Sequence, residues 1–323
     1  MDLIYTNAQR VELGVLQAYT LDLSFGTDNN ENDFELTLGK TEPELEDNAI
    51  IYIEGTEYGG IVGGMKSNSA EETRTSIGRT WHGILNSKVI EPDPGADYLV
   101  ISGDANECLS FMVDRMGLSA LFTTSVELSG ITIKGYKFAR YVKGYDGLRA
   151  MLASAGAKLK MRWTSSGVQL YAETIVDYTD EPIDSDEAVL NVERYGNKVN
   201  HLICLGAGDL AARQVIHLFV DQYERIGNTQ HFFDLDEVTD VYEYSNAADV
   251  EELRKGGIDR LKELRSIDKV EVIVDDGASL EFDVGDIIGG TDTYSGNTAK
   301  ATITQKIVKI DNGAVSIDYK TSR

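Results

Sequence analysis

The side chains best suited to catalysis in this sequence are its histidines and cysteines, and their spacing matches no common catalytic arrangement. There is no G-x-S-x-G nucleophile motif, no H-E-x-x-H zinc motif and no G-x-x-x-x-G-K-[ST] phosphate loop. The four histidines are His82, His201, His217 and His231. They lack the spacing of metal ligands, and the two cysteines lie far apart in segments typical of a buried core. We predict no catalytic residue, no cofactor and no metal site.

Two acidic features resemble ligand or catalytic sites but fit them poorly. Residues 28–33 place oxygen-bearing side chains at the first, third and fifth positions of a calcium loop. However, the sixth position is Asp33 instead of glycine and the twelfth is Gly39 instead of glutamate, which favours a simple hairpin turn. Adjacent carboxylates such as Asp236-Glu237 could be the acid and base of a glycosidase. With 54 acidic residues such pairs are expected by chance, and a solvated surface is the better interpretation.

The length and charge of the chain limit its class. Its 323 residues suggest about two domains, and a hydrophobic content of 42% disfavours disorder. The formal charge of −24 argues against a general duplex-DNA binder, because such proteins neutralise phosphates with a basic surface. The N-terminus lacks a signal-peptide pattern, and no apolar stretch is long enough to span a bilayer. We therefore expect a soluble chain, made in a reducing cytoplasm, without membrane insertion.

One segment departs from this acidic background. Residues 134–162 carry eight basic residues and one acidic residue, with aromatic residues between them. Lys158, Lys160 and Arg162 alternate along a predicted strand, so their side chains share one face, and the apolar residues between them share the other. The pattern superficially fits a single-stranded nucleic-acid site, but the rest of the chain repels phosphate. We predict that these three cations form a docking face for an acidic protein surface, and a solvated face is the alternative.

The elements that position these side chains are mostly strands in the first hundred residues. Residues 20–25 and 34–38 alternate polar and apolar side chains, which predicts strands with one buried face. Residues 49–53 form a continuous apolar run, as expected of a strand covered on both faces. Residues 73–90 are predicted to add long strands, with glycines as bends or bulges.

Helices are predicted in the middle of the chain and near residue 250. Asp104 can cap a helix, because a glutamate follows three residues later and apolar residues recur behind it at helical spacing. A second helix is predicted near residues 145–154, followed by a hairpin over residues 158–171. A long helix near residues 246–265 contains the pair Gly256-Gly257, which predicts weakening or a kink.

The whole pattern predicts a mainly β fold with inserted α/β elements, in the α+β class. Strands are expected to resume at residues 191–206 and again from residue 269, with a turn at residues 311–313. The composition agrees, because 31 glycines and only 4 prolines fit many strands joined by glycine turns.

Several passages resemble a family of long-tailed phage and prophage proteins that form the baseplate or tail-tip hub. The passages are residues 78–85, 145–152, 158–172, 200–206, 213–218, 282–290 and 303–313. They are structural motifs without catalytic content, and they extend over the chain from end to end. The resemblance therefore implies a virion structural protein of the phage tail rather than an enzyme.

The resemblance also implies a domain arrangement. Hubs of this family contribute two tail-tube-like β-barrel or sandwich domains per subunit, with helix-containing insertions on the outside. We accordingly expect residues 1–100 to be the first tube-like domain and residues 101–190 to be an α/β insertion with a helix and a hairpin. Residues 191–323 would be the second tube-like domain, with the long helix near residues 246–265.

The implied assembly is a homotrimeric ring at the distal end of the tail tube. Its expected partners are the tail tube or distal tail protein, the central spike or tip protein and the tape-measure protein, and DNA passes through its channel without specific binding. In this setting, the acidic partner of Lys158, Lys160 and Arg162 would be an adjacent subunit or a peripheral baseplate protein. Two alternatives remain, a tail-associated cell-wall hydrolase and a carbohydrate-binding module.

Overall fold

The structure is a computed structural model, and it confirms the mainly β, α+β class. It describes residues 1–27, 31–67, 70, 72–179, 188–193, 195–247, 249–265, 269–274, 281–291, 298–311 and 313–321. These residues form 23 strands and four α-helices. No helix among them is long and apolar enough to cross a membrane.

In the N-terminal part of the chain, up to residue 80, the helices and strands that the structure describes are all strands. They are β1 (Leu3–Thr6), β2 (Glu12–Leu16), β3 (Tyr19–Gly26), β4 (Asp33–Gly39), β5 (Ile50–Tyr52), β6 (Gly59–Ser67) and β7 (Thr73–Thr80). The predicted alternation is confirmed in β3 and β4, which pair antiparallel with Leu21 opposite Leu36 and bury their apolar side chains. The calcium-like segment connects these two strands, as a hairpin turn would, although residues 28–30 lie outside the described residues.

The middle of the chain adds helices and short strands. They are α1 (Trp81–Asn86), β8 (Val89–Ile90), β9 (Val100–Asp104), α2 (Ala105–Arg115), β10 (Phe122–Thr124), β11 (Thr132–Lys137), β12 (Val142–Lys143), α3 (Gly144–Ala153), β13 (Ala157–Thr164), β14 (Gly167–Thr174) and β15 (Ala188–Glu193). The predicted cap is confirmed, because the Asp104 carboxylate accepts a hydrogen bond of 2.9 Å from the Asn106 N–H. The predicted hairpin is also confirmed, because β13 and β14 pair antiparallel from Ala157–Thr174 to Thr164–Gly167.

The prediction of strands throughout residues 73–90 is wrong for α1. Thr80 ends β7 and caps this helix, since its hydroxyl accepts a hydrogen bond of 3.4 Å from the Gly83 N–H. The sequence predicts a bend or bulge at Gly83. Packing requires a glycine there instead, because a methyl group at this position would overlap the Asn32 carbonyl oxygen. The helix buries Trp81 in the core that α2, α3 and the β13–β14 hairpin share.

Residues 191–270 belong to a second compact unit. Its elements are β16 (His201–Leu205), β17 (Val215–Val220), β18 (Ile226–Gly227), β19 (Thr239–Glu243) and α4 (Val250–Arg265), with 3₁₀ turns at Leu210–Ala212 and Asp234–Asp236. The strands form a sheet in the order β18-β17-β16-β19, which α4 covers. The helix runs without interruption through Gly256-Gly257. A methyl group at Gly257 would overlap the Cys204 sulfur, so this glycine lets α4 approach the sheet closely.

The last strands return to the sheet that the first strands began. They are β20 (Lys269–Val274), β21 (Ile287–Thr291), β22 (Thr298–Asp311) and β23 (Ala314–Thr321). The sheet order is β15-β20-β23-β22-β3-β4-β7-β6-β5-β1-β2, and β21 pairs with β22. The first compact unit therefore combines residues 1–190 with residues 271–290 and 302–321. The three-part division at residues 100 and 190 stays a prediction.

Candidate functional site

The three cations of the predicted docking face lie in different environments. Lys158 is only 5% exposed, and its Nζ lies 2.7 Å from Asp283 Oδ2 and 2.8 Å from Asp286 Oδ2. The Lys160 Nζ lies 2.7 Å from both Asp283 oxygens, whereas Arg162 is exposed and donates to Gln169 Oε1 at 2.9 Å. The expected exposure of this face is thus wrong for Lys158, and Lys160 is ion-paired within the chain. The docking role itself stays a prediction.

A tight turn immediately before β21 supplies the two carboxylates. The Asp286 N–H donates to the Asp283 carbonyl at 3.0 Å, and Gly285 has a φ of +106°, which favours glycine. The Asp286 carboxylate is fully buried and accepts hydrogen bonds from the Val176 N–H at 2.9 Å and the Asp283 N–H at 3.0 Å. Backbone donors and the Lys158 ammonium group therefore satisfy both oxygens of Asp286 together.

The charges in this cluster reinforce one another. Burial raises the pKa of Asp283, but the Lys160 and Lys158 ammonium groups outweigh burial and lower it to about 2. Burial likewise lowers the pKa values of both lysines, and the carboxylates outweigh it, so both pKa values lie above their usual range. All three groups thus stay charged at neutral pH.

A second buried ion pair adjoins this cluster. Lys306, on β22, is nearly fully buried, and its Nζ lies 2.9 Å from Glu57 Oε1. Desolvation raises the pKa of Glu57, but the positive charge of Lys306 outweighs it, so the pKa lies below its usual range. His82 lies 3.8 Å from Glu57, and burial lowers its pKa to about 4, so its imidazole is neutral at pH 7. Lys306 also lies under the ring of Tyr58, 5.8 Å from its centroid.

We call these groups the buried charge cluster; its members are Glu57, Lys158, Lys160, Asp283, Asp286 and Lys306. A general acid or base works best with a pKa near the operating pH. Here the pKa values of the lysines are raised and those of Glu57 and Asp283 are lowered. All of these shifts move the pKa values away from neutral pH. These groups therefore stay charged at neutral pH, where the cluster is unsuited to acid–base chemistry.

The second unit brings together two histidines that are distant in sequence. On β16, His201 places Nδ1 2.6 Å from Glu237 Oε1 and Nε2 2.8 Å from Nδ1 of His217 on β17. The Phe219 ring stacks on His201 with centroids 4.3 Å apart. Both ring nitrogens of His201 are thus engaged by side chains. Among the described residues, no group of three or more His, Cys, Asp or Glu side chains could hold a metal ion.

Sequence reasoning missed both arrangements for the same reason. The carboxylates of the buried charge cluster lie more than 120 residues from Lys158, and only the return of the chain brings them together. The histidine pair depends on the β16–β17 register, in which Ile203 lies opposite His217. An alternating pattern identifies the face of a strand, but it does not identify what covers that face.

Comparison with known proteins identifies the fold. No protein-family model and no curated protein sequence matches the chain. The solved structures that match it over nearly its whole length include three tail proteins. A tail protein from Neisseria meningitidis MC58 is 10% identical, with a TM-score of 0.56, 100% of this chain covered and 96% of that chain. A 43 kDa tail protein of prophage MuSo2 from Shewanella oneidensis is 11% identical, with a TM-score of 0.57 and coverages of 100% and 98%.

The third structure agrees with the other two. Prophage tail protein gp18 from Listeria monocytogenes EGD-e is 12% identical, with a TM-score of 0.53 and coverages of 99% and 94%. The TM-scores of these three structures establish a shared fold, whereas sequence identities this low leave the activity open. The chain therefore has, along its whole length, the fold of the phage and prophage tail proteins that its sequence resembles.

Proposed function

We propose that the protein is a structural hub of a phage tail tip or baseplate, or of a tail-derived particle. In this proposal three copies form a ring that joins the tail tube to the central spike or tip. The ring leaves a channel for DNA and the tape-measure protein, and it is part of the virion tail. The observation that carries the proposal is the fold match to three tail proteins over at least 99% of this chain.

We propose that each subunit supplies two tube-like β domains, and the large sheet contains strands from both ends of the chain. In the sheet, strands from the C-terminal part of the chain continue directly into strands from the N-terminal part through the β22–β3 pair. We propose that residues 1–100 and 191–323 provide the two tube-like domains, and that residues 101–190 form the insertion on the outside.

The charge of the chain suits a channel that DNA crosses without binding. A net charge of −24 per chain gives about −72 for a trimer. Carboxylates repel phosphate over about 8–10 Å at physiological salt, so an acidic wall keeps DNA from adhering. We propose that the lumen carries net negative charge. The protein is then expected to have negligible affinity for DNA at a physiological ionic strength of about 0.15 M.

Molar mass by light scattering, followed by negative-stain imaging, tests the ring. We expect three times the 35.5 kDa chain mass and a ring-shaped particle. Because self-repulsion opposes association, moderate salt should favour the trimer and dilute low-salt samples should be partly monomeric. A chain that stays monomeric at high concentration and every ionic strength would contradict the proposal.

The same preparation separates the hub from its two rivals. A cell-wall hydrolase would degrade purified cell wall and lose that activity when one carboxylate pair is replaced. A carbohydrate-binding module would be a monomer that binds a glycan. The hub is expected to show neither turnover nor glycan binding, and nitrocellulose filter binding at 0.15 M salt should detect no complex with duplex DNA.

A further inference from the structure

A loop after β10 exposes two apolar side chains. We call residues 125–130 the Val126 loop. Val126 is 98% exposed and Leu128 is 69% exposed, and the exposed Glu127 lies between them in sequence. Large apolar side chains that neighbour one another in full contact with water mark an interaction surface more often than isolated ones do.

Hydrogen bonds to the start of α2 hold the Val126 loop in place. The Asp104 carboxylate accepts from the Ser129 N–H at 3.0 Å, the Ser129 hydroxyl at 2.9 Å and the Gly130 N–H at 2.9 Å. Asn106, which is buried, donates to the Glu127 carbonyl at 2.8 Å. Burial raises the pKa of Asp104, but these hydrogen bonds outweigh it and lower the pKa. A loop ordered in advance loses little conformational entropy on binding.

A basic cleft lies on the strand that follows the loop. We call it the Lys134 cleft, and its volume is about 620 Å³. Lys134, Tyr136 and Lys137 of β11 line it, together with Ser154 and Ala155 at the end of α3. The bulge that presents both lysines is fixed, because the Gly135 N–H donates to Ser102 Oγ at 2.9 Å.

Opposite charges on this surface lack ion-pair partners among the residues that the structure describes. Lys134, Lys137 and Glu127 form no ion pair with any residue that the structure describes. The chain therefore carries an apolar loop with a carboxylate and, on the strand that follows it in sequence, a cleft with two cations and an aromatic ring. These two parts are complementary to each other in charge and in polarity.

We propose that this surface joins copies of the chain, with the Val126 loop of one copy in the Lys134 cleft of its neighbour. Glu127 then faces Lys134 and Lys137, and the apolar side chains of the loop meet Tyr136. Such a contact uses a different patch on each side, as a head-to-tail ring requires. The inference rests on the proposed ring and names a surface for it. A net charge of −24 and the carboxylate at the loop disfavour an anionic membrane as the occupant.

Charge reversal and its rescue test the contact in the full-length chain. The association constant is measured by analytical ultracentrifugation at 0.15 M salt, a physiological ionic strength. We expect Glu127→Lys to weaken association about tenfold or more, which corresponds to about 1.4 kcal/mol. The pair Lys134→Glu and Lys137→Glu should weaken it similarly, and combining all three substitutions should restore it to near the wild-type value.

The matched control is Glu44→Lys, because Glu44 is exposed and the substitution changes the net charge by the same amount. By reducing self-repulsion, this control should leave association unchanged or slightly stronger. Replacing Val126 and Leu128 with asparagine should weaken association without affecting folding, since both side chains are exposed.

The outcomes separate this inference from the proposed function. If the wild type associates and Glu127→Lys behaves like Glu44→Lys, the contact proposed here is wrong and the ring stands. If the triple variant is not restored, the charge pairing is wrong. If the wild type stays monomeric under all conditions, both the ring and this contact are wrong. Binding to vesicles of phosphatidylcholine and phosphatidylglycerol that depends on Val126 and Leu128 would instead identify a lipid surface and overturn the proposal.

Discussion

Removal of the Asp286 carboxylate should destabilise the first compact unit strongly. Asp286 is 0% exposed and accepts hydrogen bonds from Lys158 and from two backbone N–H groups. In Asp286→Ala, the buried Lys158 keeps only Asp283, which Lys160 also uses. Removing one partner of a buried ion pair costs about 3–5 kcal/mol, because it leaves an uncompensated charge away from water. We expect a loss of about that size in the free energy of unfolding.

Urea unfolding followed by tryptophan fluorescence measures this loss selectively. The two tryptophans of the chain, Trp81 and Trp163, both belong to the compact unit that contains the cluster. The matched control is Glu35→Ala, whose carboxylate pairs with Lys66 at the surface, where the side chains are 55% and 60% exposed. An exposed pair contributes about 0–1 kcal/mol, so the control should change stability little.

A double variant checks the physical cause. In Lys158→Met with Asp286→Ala, both buried charges are gone, and the variant should be more stable than Asp286→Ala alone. The reasoning is refuted if Asp286→Ala costs no more than Glu35→Ala. It is also refuted if the double variant is as unstable as the sum of the two single variants, because the two side chains would then be energetically independent.

Two further predictions use the same assay. His82 has a pKa of about 4 in the folded chain against about 6.5 when unfolded, so the unfolded state binds the proton first as the pH falls. Stability should therefore decrease by about 3 kcal/mol between pH 6.5 and pH 4, and His82→Gln should flatten this part of the profile. Gly78→Ala should cost about 1–3 kcal/mol, since the methyl group would overlap the Ile61 carbonyl oxygen and lie 2.6 Å from the Phe34 ring. Gly63→Ala, whose methyl group meets only Ile77 O at 4.0 Å, is its control, and equal losses in both variants would contradict the packing argument.

Local signals predicted the elements that depend on neighbouring residues. The Asp104 cap, the β13–β14 hairpin and the alternation in β3 and β4 each follow from spacing within a few residues, and the structure confirms them. The pair Gly256-Gly257 shows the limit of such signals. Helix propensity counts a glycine as weakening, whereas the close approach to Cys204 explains why α4 has one at Gly257.

The buried charge cluster could not be predicted, because its parts are far apart in sequence. The alternation in β13 correctly separates two faces, and cations on one of them ordinarily indicate solvent. Here Asp283 and Asp286, from a turn about 125 residues later, cover Lys158 and neutralise it. Burial of Lys158 therefore depends on long-range topology, which an alternating pattern does not contain.

The β22–β3 pair has a consequence for the synthesis of the chain. In this pair Leu21 lies opposite Ile310, so the two strands are separated by nearly the whole sequence. A ribosome must complete most of the chain before β22 can pair, and until then one edge of β3 offers unpaired N–H and C=O groups. Such edges bind other strands readily, so a nascent or truncated chain is prone to aggregate. Completion of this edge of the sheet therefore requires residues 298–311, and a chain that lacks them leaves the β3 edge without its β22 partner.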